Sequence, residues 1–398
     1  MENKIPGRKA KDVFLWIRKK GTVSKQELQE LTGLPASTLT RALDELSGQR
    51  MIQEVGYGES TGGRRPVLYR IRPDGAYALG LEISRTVSRL ALCDLRLHVV
   101  DSRSWRMDAT CTPDKLIRET AAAARAMIER HSIARSSLLG LGIGAVGPLD
   151  RAEKLIIDPK YFPAEGWEHV RIGPELEQAL GIPVLLDNGA NTALLAEYWH
   201  DAVHHYDHLL YIHAGVGIRS AMMSNGQLVY GAVDMEGSVG QMIIQADGAA
   251  PREPGGNYGS WESYASVYAL EQAARSALKR GRSSLLTELA DNIDGITYDM
   301  LETAFHRGDD LARELFADAA VYFGIGLANL LNILHPEKVI LGGPLITGNS
   351  LFFHQATRVA VRKTYHFPQY QVVFARSRLG EDAVCVGAAA MVVDRLTS

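Results

Sequence analysis

Leu185-Leu186-Asp187-Asn188-Gly189-Ala190-Asn191-Thr192-Ala193 is the stretch on which the reading of this 398-residue chain turns. It follows Gly181-Ile182-Pro183-Val184, an apolar run short enough for a buried strand, and leads into Ala193-Leu194-Leu195-Ala196-Glu197-Tyr198-Trp199, which reads as a helix. A strand that hands over to a helix through polar residues belongs to an open α/β sheet, and such sheets bind ligands at the carboxyl ends of their strands. The turn carries side chains able to bond a hydroxyl-rich molecule. It also satisfies a simpler description, an Asn/Gly turn with a helix cap.

Outward from this stretch, strands and helices alternate. Residues 78–83 and 88–95 are strand-like, Thr112-Pro113-Asp114 opens a helix, and 139–148 form a buried strand ending in a glycine loop. Downstream come a strand at 208–213, a hairpin through Asn225-Gly226, and a long apolar helix from Asp309 to near His335-Pro336. A strand from Lys338 and a final helix over about 381–395 complete an α/β layer architecture.

The composition, 46% apolar and 22% charged, is that of a soluble chain large enough for two or three cores. No apolar run reads as membrane-spanning and no signal-peptide core follows Met1, so a cytoplasmic protein without membrane contact is expected. Cys93, Cys111 and Cys385 show no Cys-x-x-Cys spacing, so they suggest neither a disulfide framework nor a cysteine-rich metal site but buried apolar thiols.

Charge is unevenly placed. Residues 1–72 hold 14 Lys and Arg against 8 Asp and Glu, whereas the remainder holds 29 against 38. A basic head on an acidic body points to a polyanionic partner. Within the head, residues 9–20 place Val13, Phe14 and Ile17 on one helical face, and Ser24-Lys25-Gln26-Glu27 has capping-box spacing for a second helix. That helix stops at Thr32-Gly33-Leu34-Pro35, and a third begins near Ala36 with Leu39, Leu43 and Leu46 inward. Two short helices joined by a Gly turn read as a helix-turn-helix, with Ser37, Thr38, Thr40 and Arg41 facing base edges and phosphates of double-stranded DNA. Two strands, 51–55 and 67–71, flank a doubly basic tip, a wing from which Arg64 and Arg65 reach the minor groove or flanking phosphates.

Pro73-Asp74-Gly75 marks the boundary after this head. The order of the later motifs, Leu141-Gly-Ile-Gly-Ala-Val-Gly-Pro-Leu-Asp150, Asp187-Asn-Gly-Ala-Asn191, Asn225-Gly226, Glu236-Gly-Ser-Val-Gly-Gln241 and Pro336-Glu-Lys-Val-Ile-Leu-Gly-Gly343, resembles the ROK family of repressors and sugar kinases. The resemblance spans nearly the whole chain. It implies an α/β protein with an N-terminal winged helix-turn-helix, residues 1–74, joined to a two-lobed, actin-like (ribonuclease H-like, sugar-kinase-type) sugar-binding body, residues 75–398. Lobe 1 would comprise about 75–195 with 380–398, and lobe 2 about 196–379.

The departures from the family pattern carry the functional expectation. Family kinases use an Asp-x-Gly-Gly-Thr phosphate loop whose glycines let backbone N–H groups approach ATP, and Glu82-Ile83-Ser84-Arg85-Thr86 stands in its place. The second phosphate loop has become Gly215-Val216-Gly217-Ile218-Arg219-Ser220-Ala221, while Gly342-Gly343 survives. Where the family places the Asp that takes a sugar hydroxyl proton, this chain has Gly189. The family's zinc ligands, one His and three Cys, correspond to Gln241, Glu253, Gly255 and Ser260, which cannot form a tetrahedral thiolate site. The loop carrying Asn257, Tyr258 and Gly259 is therefore expected to be held by packing, with Trp261 the candidate. His200, His204 and His208 stand four apart, but His208 opens a strand, so no metal is expected.

Asn188 and Glu262 match family residues that bond sugar hydroxyls, Ser238 and Gln241 replace two others, and Asp187 is a further contact. The expectation is a non-enzymatic repressor of carbohydrate-utilisation genes, without catalytic residues or cofactor, acting as a homodimer or homotetramer on a two-part operator. The alternatives are a sugar kinase with an appended head, or a regulator whose body serves only oligomerisation or protein contact.

Overall fold

The computed structural model describes residues 5, 7–58, 65–200, 206–234, 236–365 and 368–397. The chain divides into two compact units, one of residues 1–205 with 382–398 and one of residues 206–381.

Unit 1 begins with α1 (Arg8–Lys20), β1 (Thr22–Ser24), α2 (Lys25–Thr32), α3 (Ala36–Gly48), β2 (Ile52–Tyr57) and β3 (Val67–Ile71). Ser24 and Glu27 form the expected capping box, and Gly33 ends α2 in the left-handed region with φ 66°. Phe14, Ile17, Leu28, Leu39 and Leu46 are completely buried, so one face of each helix supplies the small core. β2 and β3 are antiparallel, as expected, and β1 adds a third strand on the other side of β3. Of Arg64 and Arg65, expected at the tip between these strands, only Arg65 is described, and it is exposed; Arg64 lies outside the described residues.

The remainder of this unit consists of β4 (Tyr77–Ile83), β5 (Val87–Asp94), β6 (Val99–Arg106), α4 (Pro113–Arg130), β7 (Leu138–Ala145), the short pair β8 (Leu149–Asp150) and β9 (Leu155–Ile156), α5 (Ile172–Leu180), β10 (Val184–Asn188) and α6 (Gly189–His200). The main sheet has the order β10-β7-β4-β5-β6, parallel from β10 through β4 and antiparallel beyond. Along β7 the glycines alternate with Leu141, Ile143 and Ala145. The apolar face joins the core with α4 and α5, which contribute Leu116, Met127 and Leu176. The glycine face admits a helix backbone: a Cβ on Gly142 would stand 1.8 Å from the carbonyl oxygen of Ala388, and one on Gly80 1.8 Å from that of Cys385. The helix received there is the last, so the C-terminus returns to this sheet.

Unit 2 holds β11 (Leu209–Ala214), β12 (Ile218–Ser224), β13 (Gln227–Leu228), α7 (Glu262–Ala265), α8 (Val267–Lys279), α9 (Leu286–Leu289), α10 (Tyr298–His306), α11 (Asp310–Leu334), β14 (Lys338–Gly342), α12 (Pro344–Thr347), α13 (Ser350–Lys363) and β15 (Val373–Arg376). The closing helix α14 (Ala383–Asp394) belongs to unit 1. The second sheet runs β13-β12-β11-β14-β15, and Asn225 and Gly226 take positive φ at the hairpin between β12 and β13. Its core is aromatic, with Trp261, Phe316, Phe323 and Phe352 fully buried.

Helix α11 corrects one expectation. It is 25 residues long, and an 18-residue window of it has mean hydropathy 1.4, long and apolar enough to cross a membrane. Half of that window is buried, and α11 supplies Phe316, Phe323 and Leu327 to the core, so packing inside unit 2 accounts for its composition.

Candidate functional sites

The opening stretch folds as a strand followed immediately by a helix, with Asp187, Asn188, Asn191 and Thr192 all buried. One atom organises it. Asp187 Oδ1 accepts from the backbone N–H of Asn188 at 2.7 Å and from Asn191 Nδ2 at 3.0 Å, and Arg151 approaches it at 3.5 Å. Asn188 Oδ1 in turn accepts from the N–H of Asn191 at 2.7 Å, the bond of a helix cap. Both descriptions of this stretch therefore meet in it: the side chains cap α6, and they do so at the carboxyl end of a sheet strand. Gly189, where the family pattern has its proton-accepting Asp, is the first residue of α6.

In unit 2, Gln241 and Glu262 come together although 21 residues separate them. Gln241 Nε2 donates to Glu262 Oε1 at 2.7 Å, and Gln241 Oε1 accepts from the N–H of Asn257 at 2.8 Å. Asn257 Nδ2 closes the arrangement on the Gln241 carbonyl at 2.9 Å. Glu262 fits because Gly217 and Gly240 lack side chains; Cβ atoms there would lie 3.0 and 2.5 Å from Oε2. Ser238 is exposed, three residues before Gln241 in the same 3₁₀ segment.

This geometry corrects the expectation for the loop around Asn257. Hydrogen bonds that Gln241 accepts from Asn257 hold it, together with Gly259, whose N–H donates to the Ala249 carbonyl and whose own carbonyl accepts from Ile244. Trp261 packs elsewhere, against Phe323 with ring centroids 5.1 Å apart. The donor set at this loop does not suit zinc. Gly255 has no side chain, Ser260 Oγ pairs with Ser263 Oγ at 2.6 Å, and Gln241 spends its amide on Glu262 and Asn257. Among the described residues no group of three or more His, Cys, Asp or Glu could hold a metal; His204 lies outside them.

Sequence reasoning missed Arg151 and Arg252. The Arg252 guanidinium lies 4.5 Å from the Tyr268 ring centroid, and burial draws its pKa down against the opposing pull of Tyr268, Glu262 and Glu271. No motif announces either residue, because each matters through neighbours distant in sequence.

Ser84 and Arg85, in the turn between β4 and β5, are tied to the protein itself. Ser84 Oγ donates to the Val87 carbonyl at 2.6 Å and Arg85 Nε to the Lys160 carbonyl at 2.8 Å. In the N-terminal segment, Ser37 and Arg41 are exposed on α3 and Thr38 is half-buried. Thr40 is internally engaged: its hydroxyl accepts from Lys25 Nζ at 2.6 Å and donates to the Ala36 carbonyl at 2.7 Å.

Two mixed sheets, with a buried Asp-Asn turn at the carboxyl edge of one, define an α/β protein with a sugar-kinase-like fold. The sequence profile described as "ROK family" matches residues 78–395, and the chain belongs to that family. It is 27% identical over 378 residues to the xylose repressor of Caldicellulosiruptor bescii, covering 94% of this chain and 93% of the repressor. It is 30% identical over 263 residues to the glucokinase of Thermotoga maritima, covering 64% of this chain and 80% of the kinase. In fold it is similar to a ROK family transcriptional regulator described as a homologue of E. coli MLC, with TM-score 0.79, 22% identity, and 99% and 96% of the two chains covered.

Proposed function

We propose that this chain is a sequence-specific DNA-binding transcriptional regulator, a repressor of carbohydrate-utilisation genes controlled by a sugar or sugar derivative. The observation that carries the reading is the extent of the likeness to the xylose repressor, which over 94% of this chain takes in the N-terminal segment as well as the body. Residues 1–74 are then a winged helix-turn-helix, in which Ser37, Thr38 and Arg41 face the major groove and Arg65, with Arg64, reaches the flanking backbone. Thr40 contributes less directly, since its hydroxyl already bonds Lys25 and Ala36.

Residues 75–398 form the sugar-responsive body. Asn188 and Glu262 are the hydroxyl-bonding side chains, with Asp187 and Gln241 holding each in place and Ser238 at the exposed margin. Gly189 offers no carboxylate to take a hydroxyl proton, which supports binding without phosphoryl transfer. The regulator works in the cytoplasm as a homodimer or homotetramer, because two heads are needed to read a two-part operator.

The test uses the full chain to select DNA from a random library, then measures affinity for the selected sequence with and without D-xylose, D-glucose and other sugars. Enrichment of a two-part sequence, weakened by Arg41→Ala, is the expected result. Failure to enrich any sequence would remove the reading. The likeness to a glucokinase supports a second reading, phosphorylation of a sugar. ADP formation from ATP and magnesium with a sugar panel would establish it and displace the role given to Gly189.

A further inference from the structure

Resting on the regulator reading above, we propose that Arg18 is a positioning residue, the joint through which the helix that begins at the ligand turn sets the DNA-reading helices. Arg18 lies in the last turn of α1, between Ile17, which faces the core of the N-terminal segment, and Lys19 and Lys20. It is 8% exposed and is the one buried charged residue of its helix. Its partners come from the body. The guanidinium carbon stacks 3.5 Å from the ring centroid of Trp199, and Nη1 pairs with Asp394 Oδ1. Trp199 Nε1 donates to the other oxygen of Asp394 at 3.3 Å, so cation, indole and carboxylate close a triangle.

The position of these partners gives the triangle its role. Trp199 stands in the last turn of α6, the helix whose first turn is capped by Asn188; at a rise of about 1.5 Å per residue the two ends lie roughly 17 Å apart. Asp394 ends α14. The two helices are locked backbone to backbone, since a Cβ on Gly387 would stand 1.6 Å from the Thr192 carbonyl oxygen. Such packing leaves no room to bend, and a displacement at Asn188 travels along α6 as a rigid movement. It reaches Arg18, and with it α1, which packs on α2 and α3 and buries Val13, Phe14 and Ile17.

The chemistry is that of a joint that can reset. Burying a guanidinium is unfavourable, and Arg18 Nη2 is buried without a hydrogen bond among the described residues. Apolar residues of similar volume would make a tighter permanent weld. Directional contacts to two helices instead specify one orientation of α1, and that orientation is lost if Trp199 and Asp394 move.

Linkage supplies a test that needs no knowledge of the sugar, because coupling between two sites is reciprocal. Hydrogen exchange is measured on the full chain with and without the DNA it selects from a random library. In the wild-type protein, DNA is expected to slow exchange over residues 188–200 by about fivefold or more, the lower end of ordinary coupling. In Arg18→Met, and in Trp199→Leu, which leaves the N-terminal segment intact, DNA still binds but the effect over 188–200 disappears. Arg18→Lys, which keeps the ion pair and loses the planar stack, restores part of it. Unchanged transmission in Arg18→Met and Trp199→Leu would overturn the proposal, as would wild-type protein that binds DNA with no effect at 188–200. A chain that selects no DNA would overturn the regulator reading and this proposal with it.

Discussion

Gln241 donates its amide to the carboxylate of Glu262 at 2.7 Å and receives the backbone N–H of Asn257 at 2.8 Å, so one neutral side chain joins that acid to the neighbouring loop. These hydrogen bonds hold the loop with neither thiolates nor a metal. The consequence is that the loop and the carboxylate depend on the same residue.

Gln241→Ala is expected to remove both bonds. These bonds are part-buried to exposed, so the loss should lower the stability of unit 2 by only about 0.5–1.5 kcal/mol, the usual net worth of a hydrogen bond, and speed proteolysis between residues 253 and 258. Gln241→Glu is more informative. Two carboxylates in this position raise each other's pKa, and a raised folded-state pKa stabilises below the unfolded value and is lost as pH rises through the folded one. The variant should therefore approach wild-type stability near pH 4 and fall away from it towards pH 8, on the ordinary carboxylate scale of about 4. A pH-independent deficit in denaturant titrations would remove the contact from the account.

Gly387→Ala should be among the most damaging small substitutions in unit 1. Its Cβ would fall 1.6 Å from a carbonyl oxygen that belongs to a packed helix, where nothing flexible can give way. A loss of about 3 kcal/mol or more is expected, at or beyond the upper end for overpacking. Gly48→Ala, in open space at the end of α3, is the control and should change stability by less than about 1 kcal/mol. Equal midpoints in urea would refute the close approach of α6 and α14.

The capping box gives a pH prediction for the N-terminal segment. Backbone and side-chain hydrogen bonds from Ser24 hold the Glu27 carboxyl below its ordinary pKa. A depressed carboxylate contributes stability above the unfolded pKa and loses it as pH falls through the folded one. Helix α2 should therefore weaken on acidification below about pH 4, and Ser24→Ala should cost about 1 kcal/mol at neutral pH. Circular dichroism across an acid titration checks both; a Ser24→Ala variant as stable as wild type at pH 7 would contradict them.

All three thiols should resist labelling in the folded protein. Burial, aided by Asp94 and Asp382, pushes Cys93 up to about 12, and burial also raises Cys111 and Cys385. A disulfide reagent at pH 8 is expected to titrate none in native protein and three after denaturation. Rapid native labelling of any of them would show that its packing is misplaced.

Much of the fold was legible because its signals are local. The capping box at Ser24 and Glu27, the left-handed Gly33, the Asn225-Gly226 hairpin and the Asp309 cap each act within a few residues, so spacing alone predicts them. Strand β1 escaped because three residues form a strand only through their pairing with β3. β6 escaped because most of its residues face solvent and carry no apolar alternation.

The candidate site divides the same way. Sequence singled out Asp187, Asn188, Gln241 and Glu262 as ligand contacts, and it gave the support of the Asn257 loop to Trp261. The hydrogen bonds of Gln241 gave that loop a different support.

The opening stretch shows the division most clearly. Its own residues determined a strand running into a capped helix, since Asn188 bonds a residue three positions away. They also placed Gly189, which has no side chain, at the first position of that helix. Only the tertiary structure decided what the far end of that helix meets: Trp199 finds Asp394 across 195 positions, and Asp394 finds Arg18 across 376. Contacts at such separations depend on where whole elements pack, which spacing along the chain does not encode.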